Sequence, residues 1–194
     1  MKFVLGLTGQ TGAGKSSLKS IAEKLGYFVI DCDIVAHTEL EKDEVKAALV
    51  SAFSADILNA DGTLSRSALA ARAFESEEKT ELLNSTVLPF IVKEISALIT
   101  RADTDKILLD APTLYESGAD SMCDFVIAVT ADSQLRKKRI IERDKLTDAQ
   151  AQSRINAGKS VEFYKERANV VIKNNGNLEE FKNNFEYIIN NIRG

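Results

Sequence analysis

The chain of 194 residues contains one histidine, His37, and two cysteines, Cys32 and Cys123. A lone imidazole excludes a multi-histidine metal centre. The cysteines stand far apart and match neither a zinc spacing nor a secreted disulfide framework. They predict a reducing compartment, the cytoplasm. Basic residues are not in excess: 25 Lys and Arg face 29 Asp and Glu, for a net charge of -4 and a pI of about 5.2. Without a broad basic field, neither nucleic acid nor an anionic membrane is an expected partner. Residues 1–7 carry one lysine and an apolar run too short for a secretory leader. No uninterrupted apolar stretch reaches bilayer length, so the sequence predicts no membrane span.

The chain is 44% hydrophobic, which suits one domain with insertions rather than two full domains. Short apolar runs with β-forming residues recur at residues 2–7, 27–31, 106–110, 124–130 and 169–173. Helical patterns separate them, as at residues 15–25, where Leu18, Ile21, Ala22 and Leu25 recur at helical spacing. The alternation predicts an α/β fold with a parallel five-stranded sheet and helices on both faces. Residues 34–101 read as helical throughout, with a turn at "NADGT", an N-cap at Ser76, and Pro89 in the first turn of a further helix. In the last helix Leu178, Phe181, Phe185, Ile188 and Ile192 form one apolar stripe.

Four of the ten glycines fall in "GLTGQTGAGKSS", residues 6–17. Residues 9–16 fit G-x-x-x-x-G-K-[ST] between a predicted strand and a predicted helix. Glycines let the backbone turn its N–H groups toward phosphate oxygens, and the helix that follows adds its positive end. Gly12, Ala13, Gly14, Lys15, Ser16 and Ser17 are therefore the candidate nucleotide cradle. Lys15 is the charge on the β/γ-phosphates, and Ser16 the hydroxyl for Mg²⁺. A dinucleotide loop fits poorly, because Ser17 stands where its third glycine would be. The GTPase strings D-x-x-G and N-K-x-D are absent.

"VIDCDIVAH" puts Asp31 and Asp33 at the carboxyl end of the second strand, on one face of an extended segment. Open α/β sheets bind ligands beyond that end. Asp33 either orients an attacking hydroxyl or caps a helix starting near Ile34. Asp110 either holds a Mg²⁺-bound water or is only a polar strand end. "QLRKKRIIERD" sets Arg136, Arg139 and Arg143 on one helical face, and "TDAQAQSRINAG" follows with a capping box at Thr147 and Gln150 and a C′ glycine, Gly158. These residues form a lid over triphosphate or a solvated face.

In this order the motifs resemble those of the dephospho-CoA kinase family along nearly the whole chain. "GLTGQTGAGKSS", "VIDCDIVAH", "DGTLSRSALAARAF", "LDAPTLYESG", "ERDKLTDAQAQSRI" and "VVIKNNGNLEEF" each resemble a family segment. The resemblance implies a P-loop kinase core (residues 1–38, 103–142 and 168–194), a helical acceptor-binding insertion (39–102) and a lid (143–167). It implies ATP-dependent phosphorylation of the ribose 3′-hydroxyl of dephospho-CoA, with Mg²⁺, as the final step of CoA biosynthesis. Lys15, Asp33, Arg139 and Arg143 carry over as the catalytic set. Asp31, Arg66, Pro112 and Glu116 match positions on the acceptor side. His37, Leu88, Gly158 and Asn169 depart from the family pattern. Kinases for other small acceptors and a non-catalytic nucleotide switch are the alternatives. The sequence does not set an oligomeric state.

Overall fold

The computed structural model describes residues 1–192. Its strands are β1 (Phe3–Gly9), β2 (Phe28–Asp31), β3 (Lys106–Asp110), β4 (Phe125–Thr130) and β5 (Val170–Lys173). They form one parallel five-stranded sheet in the order β2-β3-β1-β4-β5. β1 is central, with Leu7 in register with Asp110 of β3 and with Ile127 of β4. Chain order therefore reverses at β1, and the loop leaving its carboxyl end opens at the topological switch point.

β1 shows no polar alternation because both of its faces are covered. Leu5 and Leu7 on one face and Thr8 on the other are fully buried. The helices α1 (Lys15–Lys24) and α9 (Leu178–Asn191) share a core cluster with this sheet: Leu18, Ile21 and Ala22 from one, Phe181, Phe185 and Ile189 from the other. Each Leu, Ile and Phe side chain among them contributes roughly 1.5–3 kcal/mol by leaving water. The stripe expected on the last helix is rotated slightly, since Leu178 is 49% exposed and Ile189 is buried in its place.

The chain divides into two compact units. One comprises Met1–Ile30 and the residues from Ala102 onward, and holds the sheet. It also holds α6 (Ser133–Asp144), α7 (Asp148–Asn156) and α8 (Val161–Arg167). The capping box expected at the start of α7 is present on Thr147 and Gln150. Gly158 stands at the C′ position of α7, yet its φ lies outside the left-handed region.

The second unit, Asp31–Arg101, contains α2 (Cys32–Glu39), α3 (Asp43–Phe53), α4 (Arg66–Ala73) and α5 (Glu77–Arg101). Val45, Leu49, Phe53, Ile57, Leu64, Leu69, Ala73 and Val87 form its core. Glu39 is nearly fully buried, and Lys42 neutralises it at 2.6 Å. Ser76 caps α5 through the Lys79 N–H, as expected.

One expectation about this unit is corrected. Pro89 lies in the middle of α5, not in a first turn. Packing on both sides overrides the missing N–H: Val87 and Ile95 are buried, and Leu83, Phe90 and Ile91 pack against the unit's core. Once α5 is continuous, its 25 residues are long and apolar enough to cross a membrane by length and composition alone. Its apolar residues are interrupted by Ser, Thr and Asn and by Lys93 and Glu94.

Candidate active site

The loop between β1 and α1 is held by its ends. Gln10 N–H donates to Val129 O at 2.9 Å, and Ser17 N–H closes the first helical turn on Gly14 O at 3.2 Å. At Gly9 a Cβ would lie 2.1 Å from Val129 O, so only glycine lets β1 end this close to β4. Gly14 is the residue from which α1 starts, at φ 108°, a conformation that favours glycine. Gly12 also has a positive φ, and Ala13 is fully buried under the loop. Ser16 and Ser17 follow in the first turn of α1, with Ser16 exposed. The loop thus places the positive end of a helix beside glycine-rich backbone, an arrangement that attracts phosphate.

Lys15 Nζ lies 2.6 Å from Asp110 Oδ1, with both side chains largely shielded from solvent. Lys19, one helical turn on, approaches Asp110 Oδ2 at 4.0 Å. The carboxylate at the end of β3 is therefore the partner that aims the loop's ammonium. Pro112, after β3, accepts a hydrogen bond from Thr8 Oγ1 at 3.2 Å, and its peptide bond is trans. Glu116 meets Lys159 at 3.8 Å.

The basic helix face does not present three equivalent arginines. Arg136 is 6% exposed, donates from Nε to Ala131 O at 3.1 Å, and burial holds its guanidinium below the ordinary range. Burial, with Glu116 nearby, pushes the Tyr164 hydroxyl up to about 12, so it stays protonated. Arg139 reaches the back of the loop, with Nη1 at 3.5 Å from Gly12 O, 3.4 Å from Ala13 O and 3.2 Å from Asn174 O. Arg143 grips Asp144 with two bonds of 2.7 and 2.9 Å, which raise its guanidinium above the ordinary range. Arg154 joins the same carboxylate. α7 packs on α6 through Ile140, Ala151 and Ile155, and Lys137 pairs with Asp148 at 2.7 Å.

In the second unit, β2 ends at Asp31 and α2 begins at Cys32, so Asp31 and Asp33 are not on one extended face. Asp31 is the N-cap: its Oδ1 accepts the Ile34 N–H at 3.2 Å. Asp33 follows, exposed, in the first turn of α2. The capping role weighed for Asp33 belongs to its neighbour. His37 is exposed near the other end of α2. Arg66 opens α4 and pairs with Glu41 at 2.9 Å.

Sequence reasoning missed Asn174 and Gln10. Asn174 donates from Nδ2 to Ala13 O at 2.7 Å, and Gln10 donates from Nε2 to Lys159 O at 3.0 Å. Both are at least 95% buried. Their partners lie 161 and 149 residues away, so no local pattern announces them. A polar residue inside an otherwise Gly-rich loop was the one available signal for Gln10.

Among the described residues no cluster of three or more His, Cys, Asp or Glu could hold a metal ion. A metal bound through one or two protein oxygens, several waters and phosphates needs no such cluster, and Ser16 and Asp110 are oxygens that could hold one.

A family model described as dephospho-CoA kinase matches residues 3–180. The dephospho-CoA kinase of Enterococcus faecalis is 37% identical over 183 residues, which cover 93% of this chain and 92% of that protein. That of Fusobacterium nucleatum is 35% identical over 178 residues, covering 92% of each. Among solved structures, dephospho-CoA kinase from Campylobacter jejuni superposes with a TM-score of 0.71 at 28% identity, covering 99% of this chain and 98% of that one. A Thermus thermophilus structure reaches 0.84 at 26% identity, covering 100% and 99%. The chain belongs to the dephospho-CoA kinase family.

Proposed function

We propose that this kinase transfers the γ-phosphoryl group of ATP to the ribose 3′-hydroxyl of dephospho-CoA. The products are CoA and ADP, and the step is the last of CoA biosynthesis, in the cytoplasm. The observation that carries the donor side is the Lys15–Asp110 pair, 2.6 Å apart, beside a left-handed glycine at the start of α1. The loop N–H groups and the helix end receive the phosphates, and Lys15 compensates charge on the group in transfer. Mg²⁺ would be held by Ser16, with Asp110 through water, and supplies neutralisation of the β- and γ-oxygens.

The new bond joins the ribose 3′-oxygen to the γ-phosphorus, and the bond from that phosphorus to the β-bridging oxygen breaks. Phosphoryl transfer depends mainly on positioning and electrostatics. Asp33 orients the 3′-hydroxyl and accepts its proton as transfer proceeds. Because Asp31 already caps α2, Asp33 is not needed for the cap. Arg139 and Arg143 are the cations of the lid segment, residues 143–167 with the adjoining end of α6. In this reading Arg143 exchanges Asp144 for phosphate when the lid closes and excludes water. Residues 39–102 form the acceptor-binding part, and Asp31, Arg66, Pro112 and Glu116 are the candidate contacts of the acceptor.

The test is ADP release with ATP and Mg²⁺ against dephospho-CoA and, separately, nucleoside monophosphates. Turnover that depends on dephospho-CoA is expected. Turnover only with a nucleoside monophosphate would reassign the acceptor, and nucleotide binding without any acceptor-dependent turnover would point to a switch.

A further inference from the structure

A phosphate cradle requires peptide N–H groups turned inward. In a planar trans peptide the carbonyl then points the opposite way, into the protein. Such a carbonyl needs a donor, because a buried unsatisfied one costs about 1–3 kcal/mol. The Ala13–Gly14 peptide has this arrangement. Ala13 O receives Asn174 Nδ2 at 2.7 Å, and Arg139 Nη1 reaches it at 3.4 Å. The neutral amide makes the shorter bond. The guanidinium nitrogen is divided among three carbonyls at 3.2–3.5 Å.

Asn174 is itself fixed. It is 4% exposed. Its N–H donates to Thr130 O at 2.8 Å, continuing the β4–β5 pairing one residue past β5. Its own carbonyl accepts from Arg139. Its side chain also fills the space under the loop: a Cβ added at Gly14 would come within 2.5 Å of Nδ2.

We infer that Asn174 is a positioning residue for the phosphoryl donor. It holds the Ala13 carbonyl turned into the protein and so aims the Gly14 N–H, the other end of the same peptide, at the phosphates. It acts through the loop and need not touch the nucleotide. The inference rests on the reading of Gly12, Ala13, Gly14, Lys15, Ser16 and Ser17 as the ATP cradle.

The experiment uses the full chain with Asn174→Leu, which keeps volume without a donor, and Asn174→Asp, which keeps shape and turns an acceptor toward Ala13 O. The readouts are the MgATP Kd by calorimetry, both KM values from ADP release, and thermal melting. The expected result is a MgATP Kd and KM raised roughly tenfold or more, a loss of about 1.4 kcal/mol, with the KM for dephospho-CoA within about twofold of the parent. An unchanged MgATP Kd, or an equal rise in both KM values, would overturn the inference. Variants that do not fold would also overturn it, by showing that Asn174 serves the fold rather than the loop. Lys15→Ala run in parallel separates the two readings. If it abolishes turnover while the Asn174 variants behave as the parent, only the Asn174 inference fails. If it is also without effect, the cradle reading itself fails.

Discussion

The donor loop and the two arginine pairs on the surface of the helical unit Asp31–Arg101 treat their charges in opposite ways. In the loop, Lys15 and Asp110 are 15% and 12% exposed and meet at 2.6 Å. In the helical unit, Arg66 and Glu41 are 53% and 52% exposed, and Arg72 and Asp56 are 48% and 71% exposed. Water screens the second kind of pair, and its net value is about 0–1 kcal/mol. The first kind is shielded and oriented by the sheet. Preorganised charge matters most where charge develops in a transition state. Substitutions in the loop should therefore register in turnover, and those at the exposed arginine pairs in substrate affinity or hardly at all.

The strongest challenge to this contrast is Lys15→Ala. Losing the aimed cation should raise the barrier by about 3 kcal/mol or more, by analogy with removing a preorganised donor. Single-turnover kinetics with ATP and dephospho-CoA would read it. Near-normal turnover would mean that the shielded pair is structural.

Asp33→Asn tests whether the helical unit also contributes to the chemistry. It should lower kcat about 10²-fold or more, in the range of general acid–base groups, with little change in ATP affinity or melting temperature. Asp31→Ala should do the reverse. Loss of the N-cap bond to Ile34 should cost about 1 kcal/mol of stability, read by chemical denaturation. If Asp33→Asn lowered stability and Asp31→Ala did not, the assignment of cap and hydroxyl-orienting roles would be inverted.

This pair of aspartates also shows what the sequence could reveal. Glycine at fixed offsets, a lysine and a helix start are local requirements of a phosphate loop, so the loop could be read directly from residues 9–17. The parallel five-stranded α/β fold followed from alternation and from the resemblance, whereas the strand order, β2-β3-β1-β4-β5, is set by pairing between distant segments. The position of a cap depends on where the helix begins. A single hydrogen bond, Ile34 N–H to Asp31, puts that start at Cys32, two residues before the expected Ile34. Pro89 was misread because packing on either side of it, not local propensity, decides that α5 continues. Asn174, Arg136 and the Lys15–Asp110 pair are tertiary facts. Asn174 and Asp110 sit next to apolar strands, where a polar residue signals a strand end without naming its partner.

Arg66→Ala sharpens the comparison from the weak side. Its pair with Glu41 is more than half exposed at 2.9 Å, so its loss should change stability by less than about 0.5 kcal/mol. Any larger effect must come from substrate. If Arg66 binds a phosphate of dephospho-CoA, the acceptor KM should rise while kcat at saturation and the MgATP KM stay near the parent values, the pattern of lost uniform binding. The rise should shrink with added salt, because a screened phosphate contact weakens as ionic strength grows. Unchanged kinetics at every salt concentration would reduce Arg66 to a partner of Glu41 and leave the acceptor's phosphates to another cation. An equal loss in kcat would instead make Arg66 part of the transition-state machinery and erase the contrast between the two units at that position.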